Sequence, residues 1–270
     1  MPAALVMLAL LALAFAAAGP AQADSARAKA LLAEKNAAVS KVQNAHLSEL
    51  QSMAQLAVVR DYFLLPEKDR PSRIDAVQKA LAGRQMGSEL CLIDSRGAEH
   101  LRAVRGRLAP SSELAQDEAE APFFSEAMRL TAGKTYISRP YLSPDVEEWV
   151  IGYVVPVIPG QAILHFEHPL RELQAVATQG AAPPNNFVLL LDPRGYIVAD
   201  SRQPVSLGMV GTDSEPKDYF RTIAGAVPDE LAAALKLGGR KEMRTAMDGR
   251  NWDVAWREAA GLLVVAFDAN

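Results

Sequence analysis

The side chains best placed to hold a small molecule lie between positions 102 and 165. Strand alternation puts Arg139 beside Tyr141 on one face, and Trp149, Ile151 and Tyr153 together on a face of the next strand. With His165 added, the set is aromatic with few cations. That mix suits a small organic anion, because a guanidinium can grip a carboxylate with two hydrogen bonds while rings exclude water. Phe123, Phe124 and Tyr136 extend the aromatic wall, and Arg102 is a second cation within reach of it. The alternative for each aromatic residue is packing in a sheet core. Arg139 differs, since a guanidinium turned into a pocket needs a partner there.

Other chemistries find less support. His165-Phe166-Glu167-His168 puts His165 and Glu167 on one strand face, but two imidazoles three residues apart diverge and no Cys is expected near them to complete a tetrahedral zinc site. No metal ligands are therefore expected. The single cysteine, Cys91, sits in the apolar run Leu90-Cys91-Leu92-Ile93, which predicts a buried, inert thiol and excludes an internal disulfide. Of the polar residues after this run, Glu99 and His100 alternate on opposite strand faces, and Asp117-Glu118-Ala119-Glu120 reads as capping for the helix that follows. There is no Gly-x-Ser-x-Gly or His-Glu-x-x-His, and Gly208-Met209-Val210-Gly211 fits neither nucleotide-binding spacing. The expectation is a non-enzyme without a cofactor; a metal-dependent hydrolase using carboxylates such as Glu118 and Asp213 is the least favoured alternative. A formal charge of -4 with interspersed signs argues against nucleic acid.

These residues need a scaffold, and the sequence divides into five segments. Residues 1–23 read as an export signal: the apolar run Ala3 to Ala18 is short for a membrane span, and Gly19-Pro20 and Ala21-Gln22-Ala23 supply a breaker and a cleavage site. The n-region has no Lys or Arg, so an uncleaved anchor is the alternative. Either form places the chain in the periplasm. Residues 24–64 have neither Gly nor Pro, and Val39, Val42, His46, Leu50, Met53, Ala57 and Phe63 form a helical stripe. One helix of that length would span two modules or pair with a partner helix in a homodimer. Pro66 and Pro71 end it, and Ile74, Val77 and Leu81 suggest a second helix closed by Gly83.

An internal repeat with a period near 100 residues fills the remainder. Leu90 to Gly97 matches Leu189 to Gly195, each an apolar strand running into Asp-x-Arg-Gly; Phe123-Phe124 is echoed by Tyr219-Phe220. Trp149 is echoed by Trp252, and Ile163-Leu164-His165-Phe166-Glu167 by Val264-Val265-Ala266-Phe267-Asp268. The fold class that follows is α+β: a long N-terminal helix, then two modules at 65–178 and 187–270, each an antiparallel sheet flanked by helices. The breaker-rich segment 179–186 links them.

With these motifs assembled, the chain resembles the double Cache family, tandem PAS-like sensor modules found outside the membrane in bacterial chemoreceptors and sensor kinases. Carrying the resemblance are the long first helix, both Asp-x-Arg-Gly turns, Phe123-Phe124-Ser125-Glu126-Ala127, Tyr136-Ile137-Ser138-Arg139-Pro140-Tyr141 and Val154-Val155-Pro156-Val157. The second module adds Ile197-Val198-Ala199-Asp200-Ser201, Leu207-Gly208 and Asp218-Tyr219-Phe220. The resemblance implies a small-molecule ligand in the first module, a wall between Phe123 and His165, and a second module acting as a relay. Where amino-acid-binding members carry Arg-x-Trp-Tyr and an Asp, this sequence has Ala121-Pro122-Phe123-Phe124 and Ser143. The function implied is a periplasmic sensor for a small molecule, an organic anion by the Arg139 argument, that signals to a membrane receptor or kinase. A stand-alone envelope interaction protein without a ligand is the alternative.

Overall fold

The computed structural model describes residues 26–81, 84, 88–204, 221–237 and 241–270. The export-type segment, Gly83, the Leu207–Gly211 motifs, Asp213 and Asp218-Tyr219-Phe220 lie outside the described residues.

Helix α1, Ala26–Ala54, runs for 29 residues, about 43 Å at 1.5 Å per residue. Its buried positions include Ala28, Lys35, Val39, Gln43, Leu50 and Met53, a stripe with mostly three- and four-residue spacing. The helix backs both modules. Its N-terminal half reaches the second through Lys29–Glu242 at 2.7 Å and through Asn36, which donates to the Glu258 carbonyl at 3.0 Å. Farther along, His46 reaches Phe166 of the first at 5.1 Å between ring centroids.

The single helix expected over 24–64 is two helices. Leu56 is extended (φ -59°, ψ 128°), and α2 runs from Ala57 to Leu64. Redirecting the chain at Leu56 lets α2 bury Val59, Tyr62 and Phe63, which a straight continuation of α1 would carry past the first sheet. No Gly or Pro marks this break, so packing decides it. A 3-10 turn, Glu67–Arg73, then leads into α3, Ile74–Leu81, with Val77 and Leu81 buried.

The first sheet comprises β1 (Glu89–Asp94), β2 (Glu99–Val104), the short β3 (Arg107–Leu108), β4 (Tyr136–Ser143), β5 (Glu148–Ile158) and β6 (Ala162–Pro169). Their spatial order is β3-β2-β1-β6-β5-β4, antiparallel throughout. The excursion between β3 and β4 contains α4, Phe124–Ala127. After β6, α5 (Leu170–Thr178) leads towards the second sheet. That sheet has β7 (Asn186–Leu191), β8 (Ile197–Asp200), β9 (Glu242–Met247), β10 (Arg250–Ala259) and β11 (Leu262–Ala269), ordered β8-β7-β11-β10-β9. Helix α6, Asp229–Leu237, precedes β9. Apart from edge strand β3, the two orders are identical.

The repeat extends to hydrogen-bonding detail. In the β1–β2 turn the Asp94 carboxylate accepts from the Arg96 and Ala98 amides at 2.8 and 3.1 Å; in the β7–β8 turn Asp192 accepts from Arg194 and Tyr196 at 2.8 and 2.9 Å. Each turn closes on a glycine with left-handed backbone, Gly97 at φ 86° and Gly195 at φ 87°.

Strand pairing corrects two sequence equivalences by one residue. Cys91 lies opposite His165 and Leu189 opposite Val265, so His165 corresponds to Val265 rather than Ala266. Val150 faces Pro169 and Trp252 faces Ala269, so Trp252 corresponds to Val150 rather than Trp149. A one-residue slip moves a side chain to the other sheet face. Trp149 accordingly packs towards the helices, whereas Trp252 packs with Phe187, Phe267 and the α6 side of the second module.

One apolar core lies behind both sheets, formed by Leu50, Met53, Val59 and Phe63 from the helices, Leu92, Ile151 and Phe166 from the first sheet and Val188, Leu190 and Val264 from the second. Burying each such side chain stabilises the fold by about 1.5–3 kcal/mol before entropy is counted. Each sheet also has an outer face, with its own smaller cluster.

Candidate functional site

The outer face of the first sheet carries a cleft of about 320 Å³, at the small end of ligand-pocket sizes. Its floor is made by the central strands. Antiparallel register sets Glu89 across from Glu167, and Cys91 across from His165. Tyr141 of β4 closes the floor, its hydroxyl donating to Glu167 at 2.9 Å and lying 2.9 Å from His165 Nε2. The Cys91 thiol donates to Glu89 at 2.8 Å.

The excursion forms the roof. Glu118 donates its amide to the Gly97 carbonyl at 2.8 Å, and a Cβ on Gly97 would sit 2.7 Å from that same nitrogen. A glycine in the turn is therefore what lets the excursion dock and brings Glu118 and Glu120 over the cleft. Phe123 stacks on His165 with ring centroids 3.8 Å apart. Gly152 keeps the floor open: a Cβ there would approach His165 Nε2 to 2.9 Å and the Tyr141 hydroxyl to 3.2 Å.

Six carboxylates line this cleft: Glu89, Glu99, Glu118, Glu120, Asp145 and Glu167. Burial drives the carboxyls of Glu89 and Glu167 upward; the charge of Glu167 adds to the rise of Glu89, while at Glu167 the Ser143 and Tyr141 hydroxyls oppose the rise and Asp145 and Glu118 add to it. Glu118 is pushed up to about 7 by burial and by the charges of Glu99 and Asp145. Burial lowers His165 to about 3, so its ring is neutral, and raises the Cys91 thiol. Three buried atoms on this floor, Glu89 Oε2, His165 Nδ1 and Glu167 Oε2, have no hydrogen-bond partner.

The nine residues expected to form the site divide by location. Phe123, Arg139, Tyr141 and His165 line the cleft. Arg102 stands at its rim, held by Asp145 at 2.8 Å and Glu99 at 3.6 Å. Phe124, the first residue of α4, packs in the outer-face apolar cluster, and Tyr136 sits at the start of β4 under the Arg194 guanidinium of the second module, 5.5 Å from the ring centroid. Trp149 and Tyr153 are not in the cleft. Tyr153 lies across from Phe166, and Val154 across from His165, so the Trp149–Ile151–Tyr153 face points towards α1.

Sequence reasoning missed most of the acidic lining and the proximity of Cys91 to His165, which lie 74 positions apart. The available signal was the sheet order: in this topology the first and last strands are neighbours, so the run Leu90–Ile93 had to pair with Ile163–Phe166. His165 and His168 do diverge as expected; His168 turns to the helix side, 4.8 Å from the His46 ring centroid. The acidic run at 117–120 supplies cleft walls as well as turn contacts.

A larger cleft of about 580 Å³ lies among the β7–β8 turn, the end of α6 and the β10–β11 turn. Its lining residues all belong to the second module, and two of them also meet the first: Arg194 donates to the Ile137 carbonyl at 2.8 Å, and Gly261 abuts Ile137.

No protein-family model matches this sequence, and no curated protein matches it either. Solved structures do. The extracellular domain of the putative histidine kinase vpHK1S-Z8 superposes with a TM-score of 0.61 at 14% identity, covering 90% of each chain. A domain of a putative sensory box/GGDEF family protein from Vibrio parahaemolyticus gives 0.61 at 12% identity, over 90% of this chain and 95% of that one. The ligand-binding domain of the Pseudomonas aeruginosa PAO1 amino acid chemoreceptor PctB, in complex with L-Arg, gives 0.60 at 14% identity, over 90% and 87%. At such identities the likeness carries the fold alone: two antiparallel α+β modules in tandem behind one long helix, the architecture shared with these sensory and ligand-binding domains.

Proposed function

We propose that this chain is an extracytoplasmic sensor or solute-binding protein whose first module takes a small cationic solute in the outer cleft and signals through α1 to a partner receptor or kinase. The observation that carries the proposal is the ring of six carboxylates around one small cleft. Arg102 neutralises Asp145 and Glu99 only in part, and Arg139 is the other guanidinium in the neighbourhood. An organic anion, which the aromatic-plus-arginine pattern suggests, would have to enter against that field. Burial above all holds the Glu89 and Glu167 carboxyls up, and a cation beside them would favour their charged forms, so binding and deprotonation favour each other.

The route to α1 is short. Strand β6 presents His165 and Glu167 to the cleft and Phe166 and His168 to the helix side, where His46 of α1 touches both rings at 5.1 and 4.8 Å. A solute that shifts β6 therefore acts on α1 across the thickness of one strand. Such a shift requires only unequal affinity for two states. Among the described residues no helix is long and apolar enough to cross a membrane, and the export-type segment at 1–23 supports placement outside the cytoplasm.

A thermal-shift screen of the full chain against metal cations, amines and carboxylic acids tests the proposal. A cation at about 100 times its dissociation constant should add roughly 2.7 kcal/mol, and Glu118→Gln should reduce the shift. Stabilisation by a carboxylic acid instead, lost in Arg139→Ala, would return the anion hypothesis.

A further inference from the structure

The floor of the cleft is chemically distinct from its rim. Around the mouth Glu99, Glu118 and Asp145 offer only oxygen, two of them paired with Arg102, whereas the floor adds a thiol and an imidazole. A carboxylate oxygen of Glu89, the Cys91 sulfur and a ring nitrogen of His165 all lie within 4.8 Å of one another, and all three residues are buried. Their equivalents by strand register in the second sheet are Phe187, Leu189 and Val265. Where packing alone sets the choice, these positions are filled with hydrocarbon, so the polar trio stands in a place that stability would give to apolar side chains.

From these residues we infer that the cation taken by the first module is a borderline-soft divalent metal, zinc being the best match, bound by Cys91 Sγ, His165 and a Glu89 oxygen. The inference rests on reading the cleft as a cation site. Sulfur, imidazole nitrogen and carboxylate oxygen are together the ligand set of zinc-type ions, whereas calcium and magnesium take oxygen. With Cys91 and Glu89 as anions, a divalent ion leaves no net buried charge; the thiol proton, and that of Glu89 where it is protonated, leave to solvent. Two atoms of the trio are ready to accept a metal, since Glu89 Oε2 and His165 Nδ1 are buried without partners. With its hydroxyl donating to Glu167, Tyr141 accepts from His165 Nε2–H, which fixes the tautomer and leaves the Nδ1 lone pair free. Glu167, Tyr141 and His165 thereby form the kind of supporting chain that orients metal-ligating imidazoles. The fourth position is left to a water.

A second cluster, His46, His168 and Glu172, also gathers within 4.8 Å, between α1, β6 and α5. It lacks a thiol, and the test separates the two places.

The experiment strips the full chain with a chelator and titrates it with Zn2+ and Co2+ against a competing chelator. The expected result is a tight equivalent whose cobalt form shows a thiolate-to-metal charge-transfer band, a signature that needs no variant. Cys91→Ser should remove the band and weaken binding by more than the about 10–100-fold that loss of a supporting partner costs, while His46→Ala leaves both unchanged. Tight metal without the thiolate band, or binding lost in His46→Ala and kept in Cys91→Ser, overturns the inference in favour of the helix-side cluster. No metal binding combined with a thermal shift from a diamine such as putrescine sinks the metal and spares the cationic cleft; no response to either sinks both.

Discussion

Glu89, Cys91, His165 and Glu167 of the first module occupy the sheet positions that Phe187, Leu189, Val265 and Phe267 hold in the second. The strand order and the closing turns are shared, so the difference lies in what the outer face is asked to do. In the second module Phe187 stacks on Phe267 at 4.0 Å and Trp252 meets Phe187 edge-on at 4.9 Å, filling the space beneath α6. In the first, Gly152 stands where Val254 stands in the second, and the space is left open. One module uses its outer face for cohesion; the other holds buried carboxyls that disfavour folding and leaves a cleft open.

The largest test of that contrast is stability. Phe267→Ala removes a fully buried ring from the second module and should cost about 3–5 kcal/mol in urea unfolding. The equivalent position in the first module should respond in the opposite way, because Glu167→Gln removes a carboxyl that its neighbours repel and should leave stability unchanged or slightly raised. Equal losses at the two positions would mean that the first face is cohesive too. Next in size is Gly152→Ala. Its methyl must displace His165 or Tyr141, an overpacking cost of about 1–3 kcal/mol, and metal or amine binding should fall with it; unchanged binding would remove the floor from the site.

How far the sequence revealed this contrast depended on register. The period near 100 and the Asp-x-Arg-Gly turns sufficed for two antiparallel modules, because turn chemistry and strand periodicity are local. Matching Trp149 to Trp252 looked natural, yet it set β5 one residue out against β10. Trp149 and Tyr153, whose aromatic character and shared strand face suggest a pocket, pack on the α1 side instead. Cross-strand neighbours such as Cys91 and His165 are set by tertiary pairing, which no local pattern records. The break at Leu56 escaped for a related reason, since the helical stripe runs through it without a breaker and only the sheet behind α2 demands the turn.

The twin turns sharpen the comparison through pH. Burial raises the Asp94 carboxyl, but hydrogen bonds from the Arg96 amide, His100 and the Ala98 amide outweigh it, and the net shift is downward. Asp192 has the same backbone donors without a histidine counterpart; burial wins and its carboxyl is shifted upward. A lowered folded value stabilises at pH above the unfolded value of about 3.9, and that contribution is lost as pH falls through the folded one. The raised value of Asp192 works in reverse, disfavouring the folded state at neutral pH and ceasing to do so as pH falls. Asp94→Asn should therefore cost about 1–2 kcal/mol at pH 7 and less near pH 3, while Asp192→Asn, which keeps the turn acceptor, should be neutral or stabilising at pH 7. Matching pH profiles for the two variants would show that His100 does not distinguish the turns.

The smallest effect tests whether the two faces communicate. Arg194 leaves the second module's turn to lie 5.5 Å over Tyr136 and donate to the Ile137 carbonyl at 2.8 Å, at the start of the strand that carries Arg139 and Tyr141 into the cleft. Its side chain is about one-third exposed, so Arg194→Ala should cost only about 0.5–1 kcal/mol of stability. If β4 relays between modules, that small change should still uncouple the effect of solute binding on hydrogen exchange in β7 and β8 while leaving solute affinity nearly intact. If exchange there responds to solute as strongly in the variant as in the parent, the signal travels through β6 and α1 alone, and the second module serves as the support on which α1 rests.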